Sequence, residues 1–200
     1  RPTMNSDKPS RLRSLASAAL RLVWHSFALF GIGVAIYASC FNVSRITSPS
    51  MAPTLQGTSW ENGDSVLTEK ITYAFRKPRR WEVMTIRKPD STLIMKRVFG
   101  LPGETIQIPT RGKIFIDGKE LVVPPALSFL EHRAYGNLTG GQEFKCESGY
   151  YVLGDDTVDS DDSRFNGCVL PQEIVGRAWM ILAPASRRGL VYSAEKHAGG

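Results

Sequence analysis

Three short segments of this 200-residue chain carry residue types that could do chemistry. The first is Ser48-Pro49-Ser50-Met51-Ala52-Pro53-Thr54-Leu55. Its two prolines fix φ and bias the residues before them away from helix, so it reads as a rigid, extended loop that could hold a hydroxyl in one orientation. A plain linker turn fits the same eight residues. The second is Leu93-Ile94-Met95-Lys96-Arg97-Val98-Phe99. In a strand Ile94, Lys96 and Val98 share a face. A free lysine is only about 0.1% neutral near pH 7.4, so service as a base requires a pKa depressed by about three units, roughly 4 kcal/mol, which burial can supply. A lysine snorkelling from a strand edge fits this pattern as well. The third is Gly154-Asp155-Asp156-Thr157-Val158-Asp159-Ser160-Asp161-Asp162-Ser163-Arg164. Its carboxylates could form a calcium loop, but the Gly and Glu positions of an EF-hand are missing and Arg164 brings a countercharge. A hydrogen-bonded structural loop is the simpler reading.

The elements that must position these segments are mostly strands. Ser65–Thr68, Glu82–Arg87, Leu93–Phe99, Thr105–Ile108, Lys113–Ile116, Leu121–Val123, Tyr150–Leu153 and Arg177–Leu182 are short β-rich runs between turn residues. Asp117-Gly118 is a two-residue hairpin signal. Residues 124–149 are rich in Pro, Gly and polar groups and read as a loop or small appended subdomain. Ahead of all this, residues 22–43 form an apolar run with no Asp, Glu, Lys or Arg. Twenty-two residues of helix span roughly 33 Å, enough for a hydrocarbon core of about 30 Å. Lys8, Arg11, Arg13 and Arg21 precede it, so the positive-inside rule keeps the N-terminus in the cytoplasm and exports the residues beyond the run. A cleaved or lipidated leader, with Cys40 as the attachment site, and a buried soluble helix are the alternatives.

Composition narrows the field without deciding it. The length excludes a large multidomain enzyme, and 42% hydrophobic residues exclude wholesale disorder. Three histidines without ligand spacing and the absence of CxxC give no support to a zinc site. The net charge of +6 lies in short clusters with no nucleic-acid motif, so no nucleic-acid partner is expected.

Taken together, SPSMAPTL, GDSV at 63–66, MKRVFGLPGE and GDDTVDSDDSR, in that order behind an apolar N-terminal run, resemble the four boxes of type I signal peptidases, the membrane-anchored serine proteases of the Ser/Lys class. The resemblance covers roughly residues 20–184 and fits the bacterial form better than the organelle forms. It implies a mainly β fold: a transmembrane helix followed by an antiparallel β-sheet catalytic domain with a small β-hairpin subdomain, as in the self-cleaving repressors. The expected divisions are a basic tail over 1–21, an anchor over 22–43, a catalytic domain over 44–184 with a small insert at about 109–148, and a C-terminal tail over 185–200.

The resemblance also implies roles. Ser50 would be the nucleophile and Lys96 the general base. Ser48 and the Ser50 N–H would form the oxyanion hole. Ser160 would orient the lysine amine, with Asp162, Arg164 and Asp155 in support. The family cleaves preproteins after small residues in an Ala-X-Ala pattern, for which Ile46, Thr47, Met51, Ile94 and Met95 are candidate pocket walls. No cofactor or metal is implied; the partners are signal-peptide-bearing preproteins and membrane lipid, and the protein is expected to be monomeric in a cytoplasmic membrane. Ser50 lies seven positions beyond the end of the apolar run, at most about 25 Å of chain, so the site is expected near the bilayer surface. Trp60, Phe75 and Trp81 are candidates to dip into lipid, unless they are core residues, and Arg76, Lys77, Arg79 and Arg80 to touch headgroups.

The chain departs from the common pattern at Pro49, where glycine is frequent, at Asp156, where asparagine follows the Gly-Asp pair, and at Trp81, which stands in place of a glycine in the turn before the lysine strand. Cys146 and Cys168 flank the last box with 21 residues between them, and an exported compartment permits a disulfide; whether they face one another is not readable from sequence. The rival functions are a self-cleaving repressor relative, which would need a DNA-binding domain in place of the apolar run, and a catalytically idle, membrane-anchored peptide-binding β-domain.

Overall fold

A computed structural model describes residues 8–109 and 112–191. The chain divides into two units, residues 1–40 and 41–200. The first holds one long helix, α1 (Lys8–Cys40). Arg13–Cys40 is apolar and long enough to cross a membrane, and Leu22, Trp24, Phe27 and Phe30 are all exposed on it. Its few polar side chains bond back to the helix: Ser26 Oγ donates to the Leu22 carbonyl and Ser39 Oγ to that of Ala35. Such local bonding is how hydroxyls are tolerated where water is absent. The helix ends at Cys40, so the last three residues of the expected 22–43 span are not helical. They open β1 (Phe41–Arg45), where pairing with the next strand satisfies their backbone instead.

The second unit is built on an antiparallel sheet ordered β1-β2-β10-β3-β4-β9, where β2 is Ser65–Glu69, β3 Val83–Arg87, β4 Leu93–Gly100, β9 Tyr151–Leu153 and β10 Ile174–Ala183. A last short strand, β11 (Gly189–Leu190), pairs with β10, and Arg187 is bonded to Asp64. The domain therefore extends past residue 184, into what the sequence suggested was a tail; residues 192–200 lie outside the described residues. A second antiparallel sheet, β7-β6-β5-β8, contains β5 (Thr105–Gln107), β6 (Phe115–Ile116), β7 (Lys119–Glu120) and β8 (Glu143–Lys145).

Asp117 and Gly118, both at positive φ (50° and 74°), make the two-residue turn between β6 and β7 as expected. That turn sets Lys119–Glu120 opposite Phe115–Ile116, and the strand anticipated over Leu121–Val123 does not form. The small sheet packs on the large one through Ile106, Ile108, Ile116 and Leu127, which meet Phe99, Tyr151 and Leu153 in one buried cluster. Trp81 belongs to this cluster, at 8% exposure and edge-on to Phe99 with centroids 5.1 Å apart. It is therefore a core residue and not an interfacial one, whereas Trp60 and Phe75 are exposed.

Candidate active site

The serine loop is fixed from below. Pro49–Met51 forms a single 3-10 turn, with Pro49 at its first position, where a missing N–H costs nothing. This is why proline is tolerated between the two serines. Met51 and Leu55 are buried at 2% and 0% exposure among Val66, Val83, Met95 and Ile181, and each contributes about 2 kcal/mol of burial to holding the loop. Ser50, half-buried, immediately precedes the first of these anchors.

Lys96 comes to it from the middle of β4. The side chain is 3% exposed, and its Nζ donates to Ser50 Oγ at 2.9 Å and to Ser160 Oγ at 3.1 Å. Both acceptors are hydroxyls. Burial, the dominant influence, pushes the lysine pKa down; the Asp162 and Asp161 charges oppose it, while Lys88 and Arg164 assist. Ser160 donates its own hydroxyl proton to Asp162 Oδ2 at 2.7 Å. Asp162 accepts further from the Gly154 N–H and, at both oxygens, from the Arg164 guanidinium at 2.8 Å. Burial pushes Asp162 up, but the bonds and charge of Arg164, with the Gly154 and Ser160 donors, hold it below the usual carboxylate range. Asp162 also caps α2 (Ser163–Asn166) by accepting from the Arg164 N–H. Ser48 Oγ lies 3.2 Å from Ser50 Oγ.

The expected pocket residues Ile46, Thr47, Met51, Ile94 and Met95 all border one cleft of about 290 Å³ beside Ser48, Ser50 and Lys96. Asp155 is on the other side of β4, bound by Arg97 through Nε–Oδ1 at 2.8 Å and Nη2–Oδ2 at 2.7 Å, both side chains fully buried. Arg97 also donates to the Trp81 carbonyl and to Thr54 Oγ1. Arg97 and Thr54 were not singled out from sequence, although an arginine inside an apolar strand is a signal in itself.

Gly154 was missed as a positioning residue. A Cβ there would lie 2.2 Å from Ser160 Oγ and 2.4 Å from the Ser50 carbonyl oxygen, so the two serine-bearing loops close over it only because it has no side chain. The acidic loop is not assembled as a calcium site: Asp155 binds Arg97, Asp162 binds Arg164, Asp161 binds Lys88, and Asp156 accepts the Val158 N–H. Among the described residues no group of three His, Cys, Asp or Glu side chains is poised for a metal. Cys146 and Cys168 form a disulfide, tying the end of the acidic segment to β8. Arg76 and Arg80, two of the candidates to touch headgroups, are ion-paired with Glu82 and Glu104.

His132 is buried against Phe99 with its Nε2 3.3 Å from the Gly154 carbonyl, and burial, helped by the Arg164 charge, pushes its pKa down to about 4.

A buried amine against a serine hydroxyl at the edge of a cleft is the arrangement of a hydrolase that works through a serine. Residues 19–183 match the family of signal peptidase, peptidase S26. Signal peptidase I of Leptolyngbya laminosa is 35% identical over 153 residues, covering 72% of this chain and 70% of that protein. Signal peptidase I V of Bacillus subtilis is 31% identical over 144 residues, or 66% of this chain and 80% of its own. The probable signal peptidase I-2 of Synechocystis is 30% identical over 175 residues, 82% and 72% of the two chains. The chain belongs to the signal peptidase family, peptidase S26, in its bacterial form, and is a serine peptidase.

Proposed function

We propose that this protein is a membrane-bound endopeptidase that removes N-terminal signal peptides from exported preproteins after small residues, with Ser50 as nucleophile and neutral Lys96 as general base. The observation that carries the reading is the 2.9 Å approach of a 3%-exposed amine to Ser50 Oγ, with a hydroxyl and no carboxylate as its other partner. A carboxylate there would hold the lysine protonated; a hydroxyl orients the amine and leaves its charge state to burial.

In the acylation step, Nζ takes the Ser50 proton as the oxygen attacks the scissile carbonyl, and the resulting ammonium gives that proton to the departing amine. In deacylation Lys96 takes a proton from water, the hydroxide attacks the ester, and Ser50 recovers its proton. The carbonyl oxygen carries negative charge in both transition states. Ser48 Oγ and the Ser50 N–H, which starts a helical turn and so has no partner in the turn's own ladder, are the donors offered to it. The Ser48 hydroxyl turns from Ser50 Oγ to the substrate oxygen as that charge develops.

β9 pairs with β4 only from Arg97 onward, which leaves the Leu93–Met95 edge facing the cleft and, across it, Ile46–Ser48. An extended substrate can add to that edge as a strand, with its small side chains directed at Ile46, Met51, Ile94 and Met95. The helix α1 anchors the enzyme, the basic residues before it keep the N-terminus in the cytoplasm, and the catalytic domain acts as a monomer on the extracytoplasmic side, against lipid.

Cleavage of an Ala-X-Ala preprotein in detergent by the parent, and not by Ser50→Ala or Lys96→Ala, is the expected result. Equal cleavage by all three would overturn the assignment. Failure of folded parent on several preproteins would favour the idle peptide-binding domain.

A further inference from the structure

The cleft beside Ser50 has a neighbour. A second chamber of about 250 Å³ lies on the β9 side of Lys96, and Lys88, Ile94, Lys96 and Asp161 are walls of both. Its interior is floored by Ile86, Ile94, Val152 and Val169, which belong to one apolar cluster. Lys88 Nζ meets Asp161 Oδ2 at 2.9 Å and so joins the two walls. Each end of this bridge is held. The Lys88 N–H donates to the Thr92 carbonyl in the β3–β4 turn, and Asp161 Oδ1 accepts from Asn166 Nδ2 at 2.6 Å. Both side chains keep solvent contact, 33% and 59% exposed, so the pair contributes little to stability. Its position is therefore more informative than its energy.

We propose that the Lys88–Asp161 ion pair is a specificity wall: it closes this chamber, with its apolar floor, off from the Ser50 cleft and limits the size of substrate side chain that can lie against Lys96. The inference rests on the reading of Ser50 and Lys96 as the cleaving pair. An aliphatic side chain entering from the cleft would have to part the two charged groups and desolvate each without a partner, whereas alanine stops short of them. With the pair removed, the same side chain finds the surface of Ile86, Val152 and Val169.

The test uses the full chain in detergent and Ala-X-Ala peptides carrying leucine singly at each residue from three before the cut to one after it. The enzymes are the parent, Lys88→Ala, Asp161→Ala, and the exchange Lys88→Asp with Asp161→Lys. The readout is the ratio of kcat/KM for the leucine peptide to that for its alanine parent, which a general loss of activity would not move. Both single variants are expected to raise this ratio about 10-fold or more at one and the same position, and the exchange to restore it. Unchanged ratios at every position, with the alanine peptide still cleaved, would overturn the wall. So would loss of all cleavage in both single variants, because a group that only excludes is not required for turnover. Parent enzyme as inert as Ser50→Ala on every peptide would instead remove the Ser50–Lys96 reading on which the inference stands.

Discussion

On one side of β4, Arg97 places its guanidinium in a fully buried, two-point bond with Asp155 and adds bonds to Thr54 and the Trp81 carbonyl. On the other, Lys96, the preceding residue and almost as deeply buried, touches two serine hydroxyls and no carboxylate. The two cations lie one residue apart, so their difference comes from partners and not from depth. Arg97 has a pKa too high to escape its charge, and the fold neutralises it with a fixed anion. Lys96 can give up its proton, and the fold keeps its nearest carboxylate, Asp162, one hydroxyl away behind Ser160. A strand that alternates its faces can thus carry, in consecutive positions, a cation fixed by a carboxylate and one held by hydroxyls.

Replacing each cation by methionine gives the sharpest test of that contrast. Arg97→Met leaves the Asp155 carboxylate buried with Thr54 as its remaining side-chain donor, and should lower unfolding stability by about 3–5 kcal/mol. Lys96→Met removes a group whose charged form burial disfavours; stability should hold or rise while cleavage is lost. With a folded-state pKa below the unfolded value near 10.5, the lysine's penalty is absent above that pH and grows as pH falls through it. The gain from Lys96→Met should therefore be larger at pH 7 than at pH 11 in denaturant titrations. Equal destabilisation by both substitutions would show that Lys96 is held as a structural cation like its neighbour.

Ser160 tests the intermediate position between the two cases. Ser160→Ala removes an acceptor from Lys96 and one of several donors from Asp162, a loss of order 1.5–3 kcal/mol for a hydrogen bond at a charged group, or about 10- to 100-fold in kcat. Because Ser160 does not border the cleft that holds Ser50, KM should move little. A rise in KM with kcat intact would place Ser160 against substrate.

The contrast also explains what could be read from the sequence. Ser50, Lys96 and Ser160 stood out because each lies in a short run whose order and spacing carry a resemblance, and the strand period already put Lys96 among apolar neighbours. Arg97 and Lys88 did not, because their meaning depends on Asp155 and Asp161, 58 and 73 residues further along. Gly154 looked like an ordinary turn residue until the packing of two distant loops on its Cα was known. Trp81 was ambiguous because an indole serves a lipid interface and a core equally well. The structure gives it a positive φ of 73°, an uncommon conformation for a bulky residue, at the position where the family resemblance expected glycine. Its contact with Phe99 and the bond from Arg97 to its carbonyl hold it there. Strand β1 was hidden at the end of the apolar run, since hydrophobicity alone does not mark where helix gives way to strand.

The smallest expected effect bears on how finely the Lys96 side is tuned. The charged groups facing the amine are Asp162 and Asp161 from the acidic loop, Lys88 just after β3 and Arg164 from α2, the carboxylates raising its pKa and the cations lowering it. Asp161→Asn removes a raising charge, so the acid limb of kcat/KM should move to lower pH. Lys88→Gln removes a lowering charge, so the limb should move to higher pH. Since both groups are partly exposed, each shift should stay under about one pH unit and shrink as salt is added. His132, pushed down to about 4, is already neutral over the range in which a depressed lysine titrates and does not supply this limb. Opposite displacements place the titrating base within the fields of both Lys88 and Asp161, where Lys96 lies. Displacements in the same direction would mean that breaking the ion pair acts through the shape of the cleft alone, and that the field at the amine is set by Asp162 and Arg164.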